Sequence, residues 1–166
     1  LDATNLALPE VLFCCRAVAR RRGKVSLIYT EPLRYTRRRH AQLNFKRDFD
    51  LSVEVRPFTA LPGAALLVDP RRRTKAVFFV GYEGERLEQA LEQTGIPPDD
   101  CQVVFGVPAF RPGWEMDSFA NNVRFLRQRN LGAGSIMFAG AHSPASALRA
   151  IDAVQAACRP GERLLL

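Results

Sequence analysis

Arg111 and Trp114 stand three residues apart in the stretch Gly106-Val107-Pro108-Ala109-Phe110-Arg111-Pro112-Gly113-Trp114-Glu115. Prolines and glycine stiffen such a loop. A guanidinium pairs a phosphate with two parallel hydrogen bonds, and an indole stacks on a flat ring, so the pair suits a planar anionic ligand. Trp114, the only tryptophan, has an equally good use as a plug between loop and helix. A second group is Gly81-Tyr82-Glu83-Gly84, a turn from an apolar run into a helical pattern. Amides at a helix start favour anions. Neither glycine signature of phosphate loops is present, however, and Glu83 and Glu85 put negative charge where a phosphate would sit. The plain reading is that the glycines permit the turn. Glu31, Arg34 and Tyr35 form a third group, able to orient a base, a ribose or a phosphate. His142 and Ser143 precede a late helix, where an imidazole either meets a phosphate or lies on an ordinary surface loop.

Arg37, Arg38 and Arg39 follow with His40 in a stretch lacking apolar periodicity. A basic loop with aromatic neighbours Tyr35 and Phe45 permits contact with nucleic-acid phosphates and stacking on bases. Arg20, Arg21 and Arg22 are different, because they fall in the last turn of a helical pattern, where cations suit the dipole. No nucleophile–histidine–carboxylate constellation is recognisable, which leaves Glu31 or Glu83 as the acid/base of any enzymatic reading. Cys14, Cys15, Cys101 and Cys158, with His40 and His142, show no CxxC and no zinc-ligand spacing. Reduced thiols without a metal are expected, and no cofactor.

These groups need elements to hold them. Ala76-Val77-Phe78-Phe79-Val80 is apolar without alternation, as in a strand covered on both faces. After Gly84 the period becomes helical: Leu87, Ala90 and Leu91 on one side, Glu85, Glu88, Gln89, Glu92 and Gln93 on the other. Thr94-Gly95 and Pro97-Pro98 stop it. The same grammar predicts strands near 25–29, 76–80, 101–107 and 135–139, and helices near 9–22, 84–94, 117–130 and 143–158. Pro9 and Ser143-Pro144 mark helix starts. In the third helix the apolar stripe is read as Phe119, Val123, Leu126 and Asn130. Residues 41–75 break the grammar, with short strands expected at 52–55 and 66–69. The fold class is therefore α/β, Rossmann-like, with a predominantly parallel sheet flanked by helices and an irregular insertion at about 32–75. In such sheets ligands bind beyond the carboxyl ends of the strands, and each candidate group above follows a predicted strand.

The totals bound the partners. A length of 166 residues fits one domain, and 47% hydrophobic residues suffice for a core. The net charge of +7 favours anionic partners. No apolar run is long enough to span a bilayer and no signal-peptide pattern opens the chain, so a cytoplasmic protein without membrane contact is expected. The opening Leu1-Asp2-Ala3-Thr4-Asn5 reads as the end of a strand and its loop. The closing Leu164-Leu165-Leu166 reads as the beginning of one. A single Rossmann-like domain belonging to a longer chain or an oligomer is the expectation.

This succession resembles the CARF-type sensor domains of bacterial antiviral systems. The matching residues are Asp2-Ala3-Thr4-Asn5 after a first strand and Gly140-Ala141-His142-Ser143 opening a late helix. The resemblance implies that Thr4, Asn5, His142 and Ser143 face a nucleotide or cyclic oligonucleotide. It does not extend to the segment 29–40 or to the loop 111–115. A non-catalytic nucleotide-responsive domain of a larger regulatory or defence protein is the leading expectation. The alternatives are a nucleotide-processing enzyme domain, and an assembly domain that meets nucleic acid or a partner protein through basic loops.

Overall fold

The computed structural model of the chain describes residues 1–34, 58, 61, 69 and 71–166. Tyr35, the basic residues Arg37, Arg38 and Arg39, and the short strands expected at 52–55 and 66–68 lie outside the described residues. The chain divides into two compact units, Leu1–Thr36 with Thr59–Ala65, and Arg37–Phe58 with Leu66–Leu166.

The first unit holds helix α1 (Leu8–Arg20). Pro9 sits in its first turn, where no amide is needed. Glu10 reaches back to accept from the Ala7 amide at 2.9 Å, satisfying one of the orphan donors of the helix start. At the other end the Gly23 amide donates to the Val18 carbonyl at 3.1 Å, a helix-closing bond that puts Arg22 in the left-handed region with φ 55°. Residues 25–29, expected as a strand of the main sheet, are not one of its strands. Among the described residues their pairing is an isolated parallel bridge between Asp2 and Ile28. Ile28 donates to the Leu1 carbonyl at 2.9 Å and Ala3 to the Ile28 carbonyl at 2.8 Å. Val25, Leu27, Ile28 and Tyr29 are all exposed. An apolar run makes a strand possible, but the ladder depends on partners distant in sequence, and among the described residues one bridge forms.

The second unit is an α/β sandwich of Rossmann-like form. Its elements in order are β1 (Thr74–Val80), α2 (Gly84–Thr94), β2 (Cys101–Gly106), α3 (Trp114–Gln128), β3 (Ile136–Ala139), α4 (Pro144–Ala156) and β4 (Arg163–Leu165). The sheet has the order β3-β2-β1-β4, and every pairing is parallel. The chain steps from β1 through β3 in one direction, and α4 then carries it back across to the far side of β1. Side chains alternate across a strand. Accordingly Ala76, Cys101, Val103 and Phe105 join Leu87 and Leu91 of α2 and Leu126 of α3 in one core cluster. Val77, Val104 and Ala139 join Ala150 and Val154 of α4 in the other.

The local stops work as their residue types dictate. Gly95 closes α2 in the left-handed conformation, φ 61°, and its amide donates to the Leu91 carbonyl at 3.1 Å. Ser143 caps α4, accepting from the Ser146 amide at 3.2 Å, with Pro144 directly after it. The stripe expected on α3 is corrected: Val123 is 38% exposed, and Asn130 lies beyond the helix with φ 55°. The buried positions are Asp117, Ser118, Asn121, Asn122, Phe125 and Leu126. A polar face is buried because it meets polar backbone at the end of β1. At the opposite edge of the sheet, Arg73 just before β1 donates through Nε to both oxygens of buried Asp100, at 2.7 and 2.9 Å. Among the described residues no helix is long and apolar enough to cross a membrane.

Candidate functional site

The turn between β1 and α2 is held from behind by α3. Ser118 Oγ donates to the Gly81 carbonyl at 2.7 Å. Asn122 Nδ2 donates to the same oxygen at 2.9 Å and to the Ser118 carbonyl at 2.8 Å. Asn121 Nδ2 donates to the Tyr82 carbonyl at 2.7 Å. The Asn122 amide has acceptors on both sides of its nitrogen, which fixes its orientation. Two consecutive turn carbonyls are thereby drawn onto α3. Gly84 makes the closeness of the two helices possible. A Cβ there would lie 2.3 Å from the Asn121 carbonyl oxygen and 2.5 Å from the Phe125 ring, whereas one at Gly81 would meet nothing within 4 Å. The glycine at 84 thus serves the packing of α2 against α3. Glu83 is the N-cap residue of α2, and its carboxylate pairs with Arg86 in the first turn. Glu85 is also in that turn. The positive end of the helix dipole therefore already has carboxylates beside it.

The loop from β2 to α3 supplies the cationic and aromatic groups. Gly113, φ 92°, makes the sharp entry into α3, and the Trp114 amide donates to the Arg111 carbonyl at 3.2 Å. This turn folds the Arg111 guanidinium over the Trp114 ring, with Cζ 5.6 Å from the ring centroid. Tyr82, from the turn after β1, meets the same indole edge-on, with ring centroids 5.8 Å apart and planes at 81°. Arg111, Trp114 and Tyr82 are each half-buried. The cluster thus joins two loops at the carboxyl edge of the sheet and presents a guanidinium on an aromatic support.

The loop after β3 completes the edge. The Val107 amide donates to the Ala139 carbonyl at 2.9 Å, and the Ala141 amide to the Pro108 carbonyl at 3.0 Å. A Cβ on Gly106 would come within 3.1 Å of Ala141 Cβ, so this glycine lets the loops close up. Between β1, β2, β3 and the start of α4 lies a cavity of about 260 Å³, walled by Phe79, Val80, Gly106, Ala141, Pro144 and Ala147. That is below the usual range for small-molecule sites, roughly 300–1,000 Å³. Ser143 also lines it, but its hydroxyl is committed to the α4 cap. His142 is exposed on the same loop.

The remaining sequence-derived candidates belong to the first unit. Thr4 Oγ1 accepts from the Thr30 amide at 3.1 Å, and the Thr4 amide donates to Asp2 Oδ1 at 2.9 Å. Hydrogen bonds from Thr4 hold the Asp2 carboxyl below the usual carboxylate range. Asn5 and Arg34 are exposed and Glu31 is half-buried. The structure therefore brings Gly81, Arg111 and Trp114 into one neighbourhood, through Tyr82 and α3. Tyr82 and Ser118 had no assigned part in the sequence reading, while Asn121 and Asn122, read as able to bond a ligand or cap the chain, donate to the turn after β1. The signal lay in Asn121-Asn122 itself, since two consecutive asparagines inside a helix are unfavourable by propensity and call for a tertiary partner.

Among the cysteines, Cys101 is buried and the other three are half-buried, all as free thiols. Burial, with a smaller effect from the Asp100 charge, pushes the Cys101 thiol up to about 12. Its Sγ lies 3.3 Å from the Pro97 carbonyl oxygen, to which it donates. It is a packing residue, not a nucleophile.

The geometry defines a class, a parallel α/β domain with an aromatic-supported arginine at the carboxyl edge of its sheet. Comparison with protein-family models, curated proteins and solved structures gives no match.

Proposed function

We propose that the chain is a non-catalytic, nucleotide-responsive domain that works within a larger regulatory or defence protein. The observation that carries this reading is the placement of the Arg111 guanidinium over Trp114, with Tyr82 against the same indole, at the ligand-binding edge of a parallel sheet. A guanidinium held in place by an aromatic face loses little freedom on pairing with a phosphate. The flanking indole and phenol offer flat surfaces to a base. The resemblance to CARF-type sensor domains supports the same ligand class and the regulatory setting.

The non-catalytic part of the reading is supported by the carboxylate that follows Tyr82 in the turn. Glu83 is engaged by Arg86 in the first turn of α2, an arrangement suited to starting a helix rather than to proton transfer. The test is mass spectrometry of small molecules that copurify with the protein, followed by calorimetry with nucleotides on the parent and on Arg111→Ala. Binding by the parent and its loss in Arg111→Ala is the expected result. Binding unaffected by Arg111→Ala, or turnover of the bound nucleotide, overturns the proposal.

A further inference from the structure

Among the described residues β3 is the outermost strand on its side of the sheet, and its edge is apolar. Sheet edges that stay single are blunted by lysine, proline or a bulge. The strand at the other edge, β4, opens with Arg163. Ile136–Ala139 hold no charge and no proline. Phe138 is 58% exposed. It ends a row of aromatics that begins in the core: Phe105 of β2 stacks on Phe119 of α3, and Phe119 meets Phe138 with ring centroids 6.0 Å apart. Met116 and Val123 lie at i−3 and i+4 from Phe119, on the same flank of α3, and both are exposed.

The backbone of this edge limits what can pair with it. The Val107 amide donates to the Ala139 carbonyl at 2.9 Å. In a parallel ladder the two polar groups of a residue point to one side, and the side alternates along the strand. Ala139 and Met137 therefore face β2, while the N–H and C=O groups of Ile136 and Phe138 face outward. Past Phe138 the edge is closed. The Gly140 amide donates to Ser146 Oγ at 3.1 Å, and the Gly140 carbonyl accepts from the Ser143 amide at 3.0 Å. Before Ile136 the chain is in the turn Ala133–Ser135. Pairing must thus be made through Ile136 and Phe138.

We propose that the β3 edge is a dimer interface, in which two copies of the chain join their sheets through antiparallel β3 strands about a two-fold axis at Met137. In this register Ile136 of each copy exchanges both backbone bonds with Phe138 of its twin. Centred on Phe138 instead, Ile136 would face Gly140, whose groups are committed to α4. The Met137 register also sets Ile136 against the Phe138 ring of the twin on the α3 face, an aromatic–β-branched pair.

Charge fits the same axis. α3 runs from the carboxyl end of β2 back to the start of β3, so the two copies of α3 lie antiparallel. Phe119 is level with Phe138 through their ring contact. Met137 is one strand residue further on, about 3.3 Å, or about two helix residues. The axis therefore passes α3 near position 121, and Glu115 and Arg127 stand six places to either side of it. Each carboxylate then faces the guanidinium of the other copy. With strands about 4.8 Å apart and α3 over β2, the helix axes stand roughly 14 Å apart. That leaves room between them for the Phe138 rings and these long side chains. An extended peptide of another protein is the competing occupant of a sheet edge, but the match of Glu115 to Arg127 about one axis belongs to a second copy. The proposal does not rest on the nucleotide reading at Arg111.

The experiment is sedimentation velocity of the full chain up to about 100 μM, where a dimer is expected. Phe138→Lys should raise the dissociation constant at least roughly 10-fold, because two rings leave the interface and two charges enter it. Since Phe138 is largely exposed, circular dichroism should show the parent fold. Glu115→Arg or Arg127→Glu alone should weaken the dimer roughly 3- to 30-fold, and the two together should restore it. A structural role of Glu115 in its own loop would not be rescued at Arg127. The register is read by crosslinking. Met137→Cys puts two thiols on the axis with Cα atoms about 4.5 Å apart, within disulfide reach, so mild oxidation should link the copies. Ile136→Cys and Phe138→Cys put like residues roughly 8 Å apart and should not link. The parent, with its own free cysteines, sets the background. A monomer at about 100 μM overturns the proposal. So does a dimer that Phe138→Lys leaves at parent strength, a doubly reversed variant no tighter than the singles, or linking through Met137→Cys no better than through its neighbours.

Discussion

The side-chain amide of Asn122 donates to the carbonyl oxygen of Gly81 at 2.9 Å, and Asn122 is fully buried. One residue of α3 thus fixes the turn that ends β1. The same nitrogen also serves the Ser118 carbonyl, while Oδ1 has no partner among the described residues. Removing the amide leaves the turn carbonyl with one side-chain donor, Ser118, instead of two. Asn122→Ala should therefore lower the stability by about 1–3 kcal/mol. A urea titration reads this as a lower midpoint with an unchanged m-value. A midpoint equal to that of the parent would mean that Ser118 and Asn121 suffice to hold the turn.

Gly81 and Gly84 flank this turn and should respond in opposite ways. A methyl group at 84 collides with the Asn121 carbonyl and the Phe125 ring, so α2 and α3 must part. Gly84→Ala should cost at least about 1–3 kcal/mol. At Gly81 the space is open and φ is not in the left-handed region. Gly81→Ala should be neutral or stabilise by up to about 1 kcal/mol through the unfolded chain. Thermal melts of the two variants side by side decide the point, and equal losses would contradict the packing explanation.

The local grammar of the second unit was legible because it depends on neighbours in sequence. The unbroken apolar run ending at Val80, the glycine stop at Gly95 and the Ser143-Pro144 start each sit where the structure uses them. Leu164 and Leu165, read as the beginning of a strand, belong to β4. What failed depended on distant partners. Residues 25–29 have the composition of a strand, but composition says nothing about whether a ladder continues beyond Ile28. Hydrophobic periodicity found Phe119, which stacks on Phe105 with centroids 4.0 Å apart, and Leu126. It could not find Ser118 and Asn122, because their burial is driven by carbonyl groups on another element. The site divides the same way. Arg111 and Trp114 lie three residues apart and could be paired on paper. Tyr82 joins them only after β1 and β2 are aligned in register, Val80 beside Phe105.

The thiols should titrate unequally. Burial raises Cys101 from the ordinary 9.0 to about 12. For a group whose folded value is raised, the associated stability is full below the unfolded value and is lost as pH rises through the folded one. Stability owed to Cys101 should thus be level at neutral pH and decline from about pH 9 toward about pH 12. Iodoacetamide at pH 8 should modify Cys101 last, after the three half-buried cysteines, and peptide mapping by mass spectrometry identifies the order. Rapid labelling of Cys101 in the folded protein would show that the strand start opens readily.

Trp114 gives the candidate site its own reporter, because it is the only tryptophan in the chain. Arg111 lies over its ring and Tyr82 against its edge, so its emission should respond to what happens at both. Arg111→Ala should shift the emission of the unliganded protein by uncovering the indole. The cation–aromatic contact is worth about 0.5–1 kcal/mol at a partly exposed site, so the Tm should fall only slightly. With a bound nucleotide the parent emission should be quenched as a base or phosphate reaches the cluster. Arg111→Ala should lose that response, and Arg111→Lys should recover part of it, because an ammonium keeps the charge without the two-pronged geometry. Tyr82→Phe should retain the response and Tyr82→Ala should weaken it, since the ring and not the hydroxyl meets the indole. A set of variants that all keep the parent response would make the cluster a packing device between two loops. A large loss of Tm in Arg111→Ala would lead to the same conclusion by a different route, because the arginine would then be holding the loop rather than waiting for an anion.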